Sequence, residues 1–464
     1  MPPAERAVAG PGGRAVAGSG DAWASRAGRR PGTAGRSRLI GGSPGRPASL
    51  AEHLAHHGAL PACAGADRRE LISEVERAGL TGRGGAAFPT AVKLHALAAR
   101  RAPLLIANGT EGEPASGKDK ALLASAPHLV LDGAVYAAGL IGASAAVVVA
   151  HPAVLGIVAH AAAERRNAAR RRAGGERVRI RVIEAAPGFV AGEASAVVNW
   201  VEHGAARPTG RPPHSGRAAR PGAGRRGAPG RGRPAGRPVL VQNVETLAHL
   251  ALIARHGADW FRSAGTAAEP GSMLVTMAGA VRRPGVYEIA IGTPVSEIIG
   301  RAGGACAPLR ALLIGGYFGT WVSAAEAAPA PFSAAGLAAL GASPGAGLIM
   351  ALPDTVCGLA ETARLAHYLA GESAGQCGPC VFGLDAIAGQ LTRLATGRAA
   401  ELGTTRRWLS QVTGRGSCRH PDGAARMIGS ALDVFAAEAA GHARGWCRGT
   451  STALIVPVPG PVRP

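Results

Sequence analysis

The sequence predicts an α/β domain built on a parallel sheet, followed by a small α+β module and a C-terminal helical bundle. Three observations predict it. Short apolar runs separated by helix-length segments recur through the first half of the chain. A strand–strand–helix–strand order begins near Met273. Residues 352–445 then carry apolar faces at helical spacing. With 464 residues, 47% of them hydrophobic, the chain is long enough for several cores.

In chain order, residues 1–36 read as a compositionally biased, disordered leader. Ala51–Ala78 reads as helical and stops at the glycine-rich Gly82–Gly85. The apolar run Leu104–Ala107 opens a βα alternation. A helical segment at Lys118–Leu140, a strand at Ala145–Ala150, a helix at Val154–Arg171, a strand at Val178–Ile183 and a helix at Glu193–Glu202 follow. These belong to a first domain over residues 37–250, within which 203–238 is a basic low-complexity loop. Gly133–Ala150 holds no charge, but Gly142–Ser144 interrupts it, so it reads as helix, turn and buried strand rather than a membrane span. The second module, 273–325, has strands at Leu274–Ala278, Gly285–Ile289 and Leu312–Ile314, with a helix at Pro294–Ala302. In the third, 352–445, Leu359, Ala363, Ala366 and Leu369 share one helical face, and Ile428, Ala431, Leu432 and Phe435 share another. The tail 446–464 carries no signal.

The formal net charge of +21 invites a nucleic-acid partner. All but three of the 51 basic residues are arginine, the exceptions being Lys93, Lys118 and Lys120. Residues 1–50 contribute +6 and residues 203–238 contribute +9, and both stretches are rich in Gly, Pro and Ala. Biased composition in poorly ordered segments explains this distribution. With aromatic residues at 4%, stacking surfaces for bases are scarce, and no nucleic-acid partner is expected. Seven cysteines, an odd number, argue against a secreted disulfide scaffold, and the N-terminus has no apolar signal segment. A cytoplasmic chain with no membrane span of its own is expected, peripheral to a membrane only through partners.

Four motifs carry chemistry. In Gly82-Arg83-Gly84-Gly85-Ala86-Ala87-Phe88-Pro89-Thr90, a glycine-rich turn lets backbone N–H groups approach a phosphate, with Arg83 and Lys93 as added charge; an ordinary glycine turn is the alternative. Asn108-Gly109-Thr110-Glu111-Gly112-Glu113-Pro114 follows the first strand. Carboxylates at the carboxyl end of a parallel strand sit where ligands bind in open α/β sheets, although a solvated acidic turn has the same composition. Gly192-Glu193-Ala194-Ser195 opens a helix, where Glu193 also simply favours the helix dipole. Cys377-x-x-Cys380, with Cys418 and then His420, suits one metal or cluster. Zinc on all four, or buried free cysteines, are the competing readings.

Taken in order, these segments, with Lys118-Asp119, Gln242-Asn243-Val244-Glu245-Thr246-Leu247, Glu372–Cys380 and Cys418 before Asp422–Ala425, resemble the family of flavin- and NADH-binding subunits of respiratory complex I. The related subunits of NAD-linked hydrogenases and formate dehydrogenases belong to that family. The resemblance runs from about residue 38 to 440. It implies an α/β FMN-binding domain, a β-grasp soluble-ligand-binding module and a helical bundle carrying an iron–sulfur cluster, with NAD(H), or NADPH in its place, as the electron donor. It also implies a ferredoxin-like or other iron–sulfur electron-transfer partner. Carried over, Gly82, Arg83, Gly84, Gly85, Phe88 and Lys93 line the nucleotide and flavin phosphate region. Asn108 and the catalytic Glu111 and Glu113 lie beside flavin and nicotinamide. Gly192, Glu193, Gln242, Asn243 and Thr246 complete the flavin pocket, and Cys377, Cys380 and Cys418 ligate the cluster. The chain departs from the family at Ala374, where the first cluster cysteine belongs. That implies a [4Fe–4S] cluster with a non-cysteine ligand (His420, Ser373 or water) or a [3Fe–4S] cluster. It departs again at Thr110, Ala194 and Ala87, and at Ala96 and His214, which align with stacking phenylalanines. An electron relay that no longer oxidises NADH directly, or a scaffold keeping only the fold, are the alternatives.

Overall fold

The computed structural model describes residues 37–40, 46–63, 66–171, 178–210, 237–398, 401–447, 449–451 and 453–459. The leader 1–36 and residues 211–236 of the basic loop, which include His214, lie outside the described residues.

The stretch expected as one helix over Ala51–Ala78 is two. Helix α1 (Leu50–His57) starts at a capping box between Ser49 and Glu52 and ends at Gly58, whose φ of 73° few other residues adopt. Helix α2 (Arg68–Ala78) starts on the Asp67 cap and ends at left-handed Gly79. Next come α3 (Thr90–Ala98), β1 (Leu104–Gly109), α4 (Lys118–Ser125) and α5 (Pro127–Ile141). The expected single segment Lys118–Leu140 bends by 97° between α4 and α5. Pro127 explains the bend, since it has no N–H to give and drives Ala126 out of helical conformation. The domain continues with β2 (Ala145–Ala150), α6 (Pro152–Arg171), β3 (Arg179–Glu184), α7 (Ala194–His203), β4 (Val239–Asn243) and α8 (Val244–Arg262).

All strand pairs of the first sheet are parallel, in the order β3-β2-β1-β4. Strand β4 completes the sheet beyond the basic loop, where the apolar pattern is only five residues long. Helices α5 and α8 pack beneath it so closely that a Cβ on Gly133 would lie 1.8 Å from the Leu247 carbonyl oxygen. Buried Asp132 ties this core together, facing His53 Nε2 at 2.7 Å, Arg165 at 2.6 Å and Arg255.

The second sheet is mixed: β5 (Ser272–Gly279), β6 (Gly285–Ala290), β7 (Leu309–Ile314), β8 (Thr320–Ser323) and β9 (Leu348–Pro353) in the order β6-β5-β9-β7-β8. Only β5–β9 is parallel. Helix α9 (Val295–Arg301) buries Val295 and Ile298 against one face, and short helices α10 (Ala324–Ala327) and α11 (Ala334–Ala338) precede β9. The central strand thus arrives last, after residue 325. The opposite face packs on the helical unit. That unit comprises α12 (Gly358–Gly371), a π-helical turn Pro379–Leu384, α13 (Asp385–Ala395), α14 (Leu402–Val412), α15 (His420–Val434) and α16 (Ala436–His442). Among the described residues no single helix is long and apolar enough to cross a membrane. The bent pair α4–α5 passes on length and composition alone, and its residues are mostly buried in the first core.

Candidate functional site

Loops gather at the carboxyl ends of β1 and β4, the edge where parallel sheets bind ligands. The glycine loop between α2 and α3 is closed by Gly82 N–H donating to Phe88 O at 2.9 Å. The Arg83 N–H donates to Thr246 Oγ1 at 2.9 Å, which fastens the loop to the first turn of α8. Gly84 lies against Asn243, where an added Cβ would sit 3.4 Å from the Asn243 Cβ. Gly85 takes φ 103° beside the backbone of Gly345 and Ala346, so the loop also meets the second sheet's connections. Ala87 adopts φ 48°, a conformation glycine holds with less strain. The Arg83 side chain turns inward, donating to Thr81 Oγ1 at 2.8 Å and Pro270 O at 3.4 Å. Phe88 is 46% exposed, and the Lys93 ammonium lies 5.8 Å over its ring while donating to Val241 O at 3.3 Å. Burial lowers the Lys93 pKa.

After β1, Asn108 donates from Nδ2 to Gly192 O at 2.9 Å and accepts the Thr110 N–H at 3.2 Å. Glu111, at φ 43°, is buried and fully engaged: it accepts Ser116 Oγ at 2.7 Å, Asp119 N–H at 3.0 Å and Lys120 N–H at 2.8 Å, and pairs with Lys120 Nζ at 3.1 Å. Burial opposes its charge, but Lys120, Ser116 and Lys118 outweigh burial and hold the carboxyl below the ordinary range. Glu113, two residues on, is different. It accepts the Tyr317 N–H at 3.0 Å and faces Gly316, where a Cβ would come within 2.6 Å of its carboxylate. Burial pushes its pKa up to about 8, with the Glu111 charge adding to the shift and the Tyr317 N–H opposing it.

Glu193 caps α7, accepting the N–H groups of Ser195 and Ala196 at 2.9 and 3.1 Å. Asn243 caps α8, accepting the Glu245 N–H at 3.0 Å and donating to Asp119 at 2.6 Å. Beneath them Lys118 pairs with Asp119 at 2.6 Å and Glu245 at 2.9 Å, all three buried. Burial pushes Asp119 up to about 6 against the pull of Lys118. These three residues position the loops; Lys118-Asp119 and Glu245 stand in stretches that carry the resemblance, but the pairing of Lys118 with Glu245 across 127 residues has no signal in the sequence. Two buried polar atoms here, Gln242 Nε2 and Thr110 Oγ1, have no protein partner. Such unmet hydrogen-bonding capacity, with glycine turns and two helix N-termini, fits a polar, phosphate-bearing cofactor such as FMN.

Three cysteines of the third unit also come together. Cys377 accepts hydrogen bonds from Ser417 and from the Cys380 thiol. Burial opposes its ionisation, but these donors prevail and lower its pKa. Burial and the neighbouring Cys377 push Cys380 up to about 12, and Ser373 donates to the Cys380 sulfur. Cys418 lies close enough to Cys377 for their charges to interact. Three soft thiols in one patch fit an iron–sulfur group. Of the two expected non-cysteine donors, the Ser373 hydroxyl is at Cys380. His420 uses Nε2 on Leu369 O at 2.6 Å and leaves a buried Nδ1 with no protein partner.

Phe189 joins the two patches. Its N–H donates to Glu372 at 2.6 Å, and its ring packs on Tyr317, Phe318, Tyr368 and His420 with centroids 4.8–6.2 Å away.

Comparison with known proteins agrees with this geometry. Residues 75–252 match the Nuo51 FMN-binding domain, residues 360–442 the iron-sulfur binding region of NADH-ubiquinone oxidoreductase-F, and residues 274–310 the SLBB domain. The F subunit of NADH-quinone oxidoreductase from Mycobacterium tuberculosis is 31% identical over 395 residues, covering 81% of this chain and 85% of the relative. Its counterpart from Escherichia coli is 29% identical over 405 residues, covering 82% and 86%. Among solved structures, an NAD+-reducing [NiFe]-hydrogenase in the air-oxidized state superposes with a TM-score of 0.71 at 28% identity. The match covers 84% of this chain and 66% of the hydrogenase chain, so this chain spans about two thirds of that protein's length.

Proposed function

We propose a function from one premise: the chain belongs to the family of NADH-quinone oxidoreductase F subunits. It is an NADH-oxidising flavoprotein subunit, with FMN in the α/β domain and an iron–sulfur cluster in the helical unit. The observation that carries this reading is the convergence of the glycine loop, the loop after β1 and the capped N-termini of α7 and α8, with the unpartnered Gln242 Nε2 and Thr110 Oγ1 among them. When bound, flavin supplies two-electron acceptance paired with one-electron release, the chemistry that links hydride oxidation to a cluster.

The chain's own residues divide the work. Gly84 and Gly85 present backbone N–H groups to phosphate, Gly82 closes that loop on Phe88 O, Arg83 holds it in place through Thr246, and Lys93 and Phe88 form its outer wall. Asn108, Gly192, Glu193, Gln242 and Asn243 frame the flavin ring through the caps of α7 and α8. Glu111 anchors the start of α4, so its role is to position the loop. Glu113, kept neutral at its raised pKa, presents a carboxyl O–H to the nicotinamide side. Cys377, Cys380 and Cys418 hold the cluster, with Ser373 or His420 filling the place of the missing fourth thiolate. The strand order β6-β5-β9-β7-β8, with its single parallel pair and α9 crossing one face, supports a β-grasp reading of the second module. An iron–sulfur partner protein accepts the electrons, and any membrane contact is made through partners.

Anaerobic addition of NADH to the purified, flavin-containing protein tests the reading by bleaching of the flavin band. If only a low-potential reductant bleaches it, the chain is an electron relay instead. Cys377→Ala is expected to abolish iron–sulfur absorbance, because two thiolates are too few. Metal and sulfide analysis finding zinc at this site in the unaltered protein would overturn the cluster assignment.

A further inference from the structure

A second group of metal-type donors lies away from Cys377, Cys380 and Cys418. Cys357, at the start of α12, His442, at the end of α16, and Cys447 bring their donor atoms within 4.8 Å of one another. Cys357 Sγ is 3.7 Å from His442 Nε2. A tetrahedral zinc ion, with Zn–S of about 2.3 Å and Zn–N of about 2.0 Å, sets these atoms about 3.6 Å apart.

The surroundings fix where each donor points. His442 Nδ1 lies 3.1 Å from the Leu394 carbonyl oxygen. A carbonyl only accepts, so the ring proton sits on Nδ1 and the Nε2 lone pair faces the two sulfurs, the arrangement that orients a metal-binding imidazole. Cys357 caps α12, accepting the Ala360 N–H at 3.4 Å, and its own thiol donates to Glu438 Oε2 at 3.3 Å; burial and that carboxylate push its pKa up to about 12, so a metal ion has to displace the thiol proton. Gly449 makes the approach of the last segment possible: a Cβ there would lie 2.8 Å from the Cys357 nitrogen. The Thr450 N–H donates to Thr355 O at 2.8 Å, and the Gly449 N–H donates to Cys447 Sγ at 3.3 Å, so Cys447 is held beside the buried pair.

We propose that Cys357, His442 and Cys447 form a zinc-type site that fastens the last segment of the chain to α12 and α16. Cys447 is exposed, so the fourth coordination position is open to water. Binding displaces the two thiol protons to solvent and changes no oxidation state.

Co2+ added to the reduced, full-length protein under anaerobic conditions is the probe. The unaltered chain is expected to develop thiolate-to-cobalt charge-transfer bands and the d–d bands of tetrahedral Co2+. Cys447→Ser, at an exposed position, is expected to weaken binding by about tenfold or more. Cys357→Ser should do the same, while Cys306→Ser, at an exposed cysteine outside both groups, should keep the signal. The comparison of unaltered chain with Cys447→Ser stands even if the buried variants fail to fold. Identical spectra in those two would overturn the proposal. So would an intact mass lighter by two hydrogen atoms in the unaltered chain, purified without reductant, but not in Cys447→Ser, which would mean an oxidised Cys357–Cys447 disulfide.

Discussion

Glu111 and Glu113 stand two residues apart and end in opposite electrostatic states. One is surrounded by donors, the other by a single N–H and a nearby carboxylate. The folded protein therefore binds a proton on Glu113 between its ordinary value of 4.5 and about 8, where the unfolded chain does not. Stability falls as pH rises through that window. Glu113→Gln is expected to flatten this slope, measurable as the urea midpoint followed across the window. Asp132 behaves in the opposite sense. Burial disfavours its charge, but His53, Arg165 and Arg255 outweigh burial and hold its pKa far below the ordinary range, so its contribution is lost on acidification. Asp132→Asn leaves Arg255 buried without its carboxylate and should cost about 3–5 kcal/mol in chemical unfolding. At this scale the motif marks the acids, but the neighbours that separate their roles, Tyr317 and Lys120, come from folding.

Elements with strong local punctuation were legible. Strand β2 falls on Ala145–Ala150 as expected, and α6 and β3 differ from expectation only at their ends. The misses share a cause, which is that the deciding information is not local. Pro127 splits one apolar helical pattern into two helices, β4 is a five-residue strand beyond a long loop, and β9 enters the centre of the second sheet some 25 residues after the preceding strand, β8. The contact of α5 with α8 is likewise invisible in either helix alone. Gly133→Ala forces a methyl into the Leu247 carbonyl and is expected to destabilise the protein by about 1–3 kcal/mol or more, read as a lowered thermal midpoint.

Across the whole molecule, assembly is read from the scattered acids rather than from the net charge of +21. Glu245 accepts the Leu274 N–H at 2.9 Å while pairing with Lys118, so one buried carboxylate joins α8, α4 and the first strand of the second sheet. Glu245→Ala should lower flavin retention and the thermal midpoint together, as dialysis and calorimetry would show, whereas a merely local role would move only one. The sequence has seven Phe and four Tyr, and four of these, Phe189 among them, meet at the seam of all three units. Because each unit lends a ring to one cluster, with Tyr317 buried at its centre, pulling any one unit away unpacks a side chain that lies between the flavin-side loops and the cysteine patch.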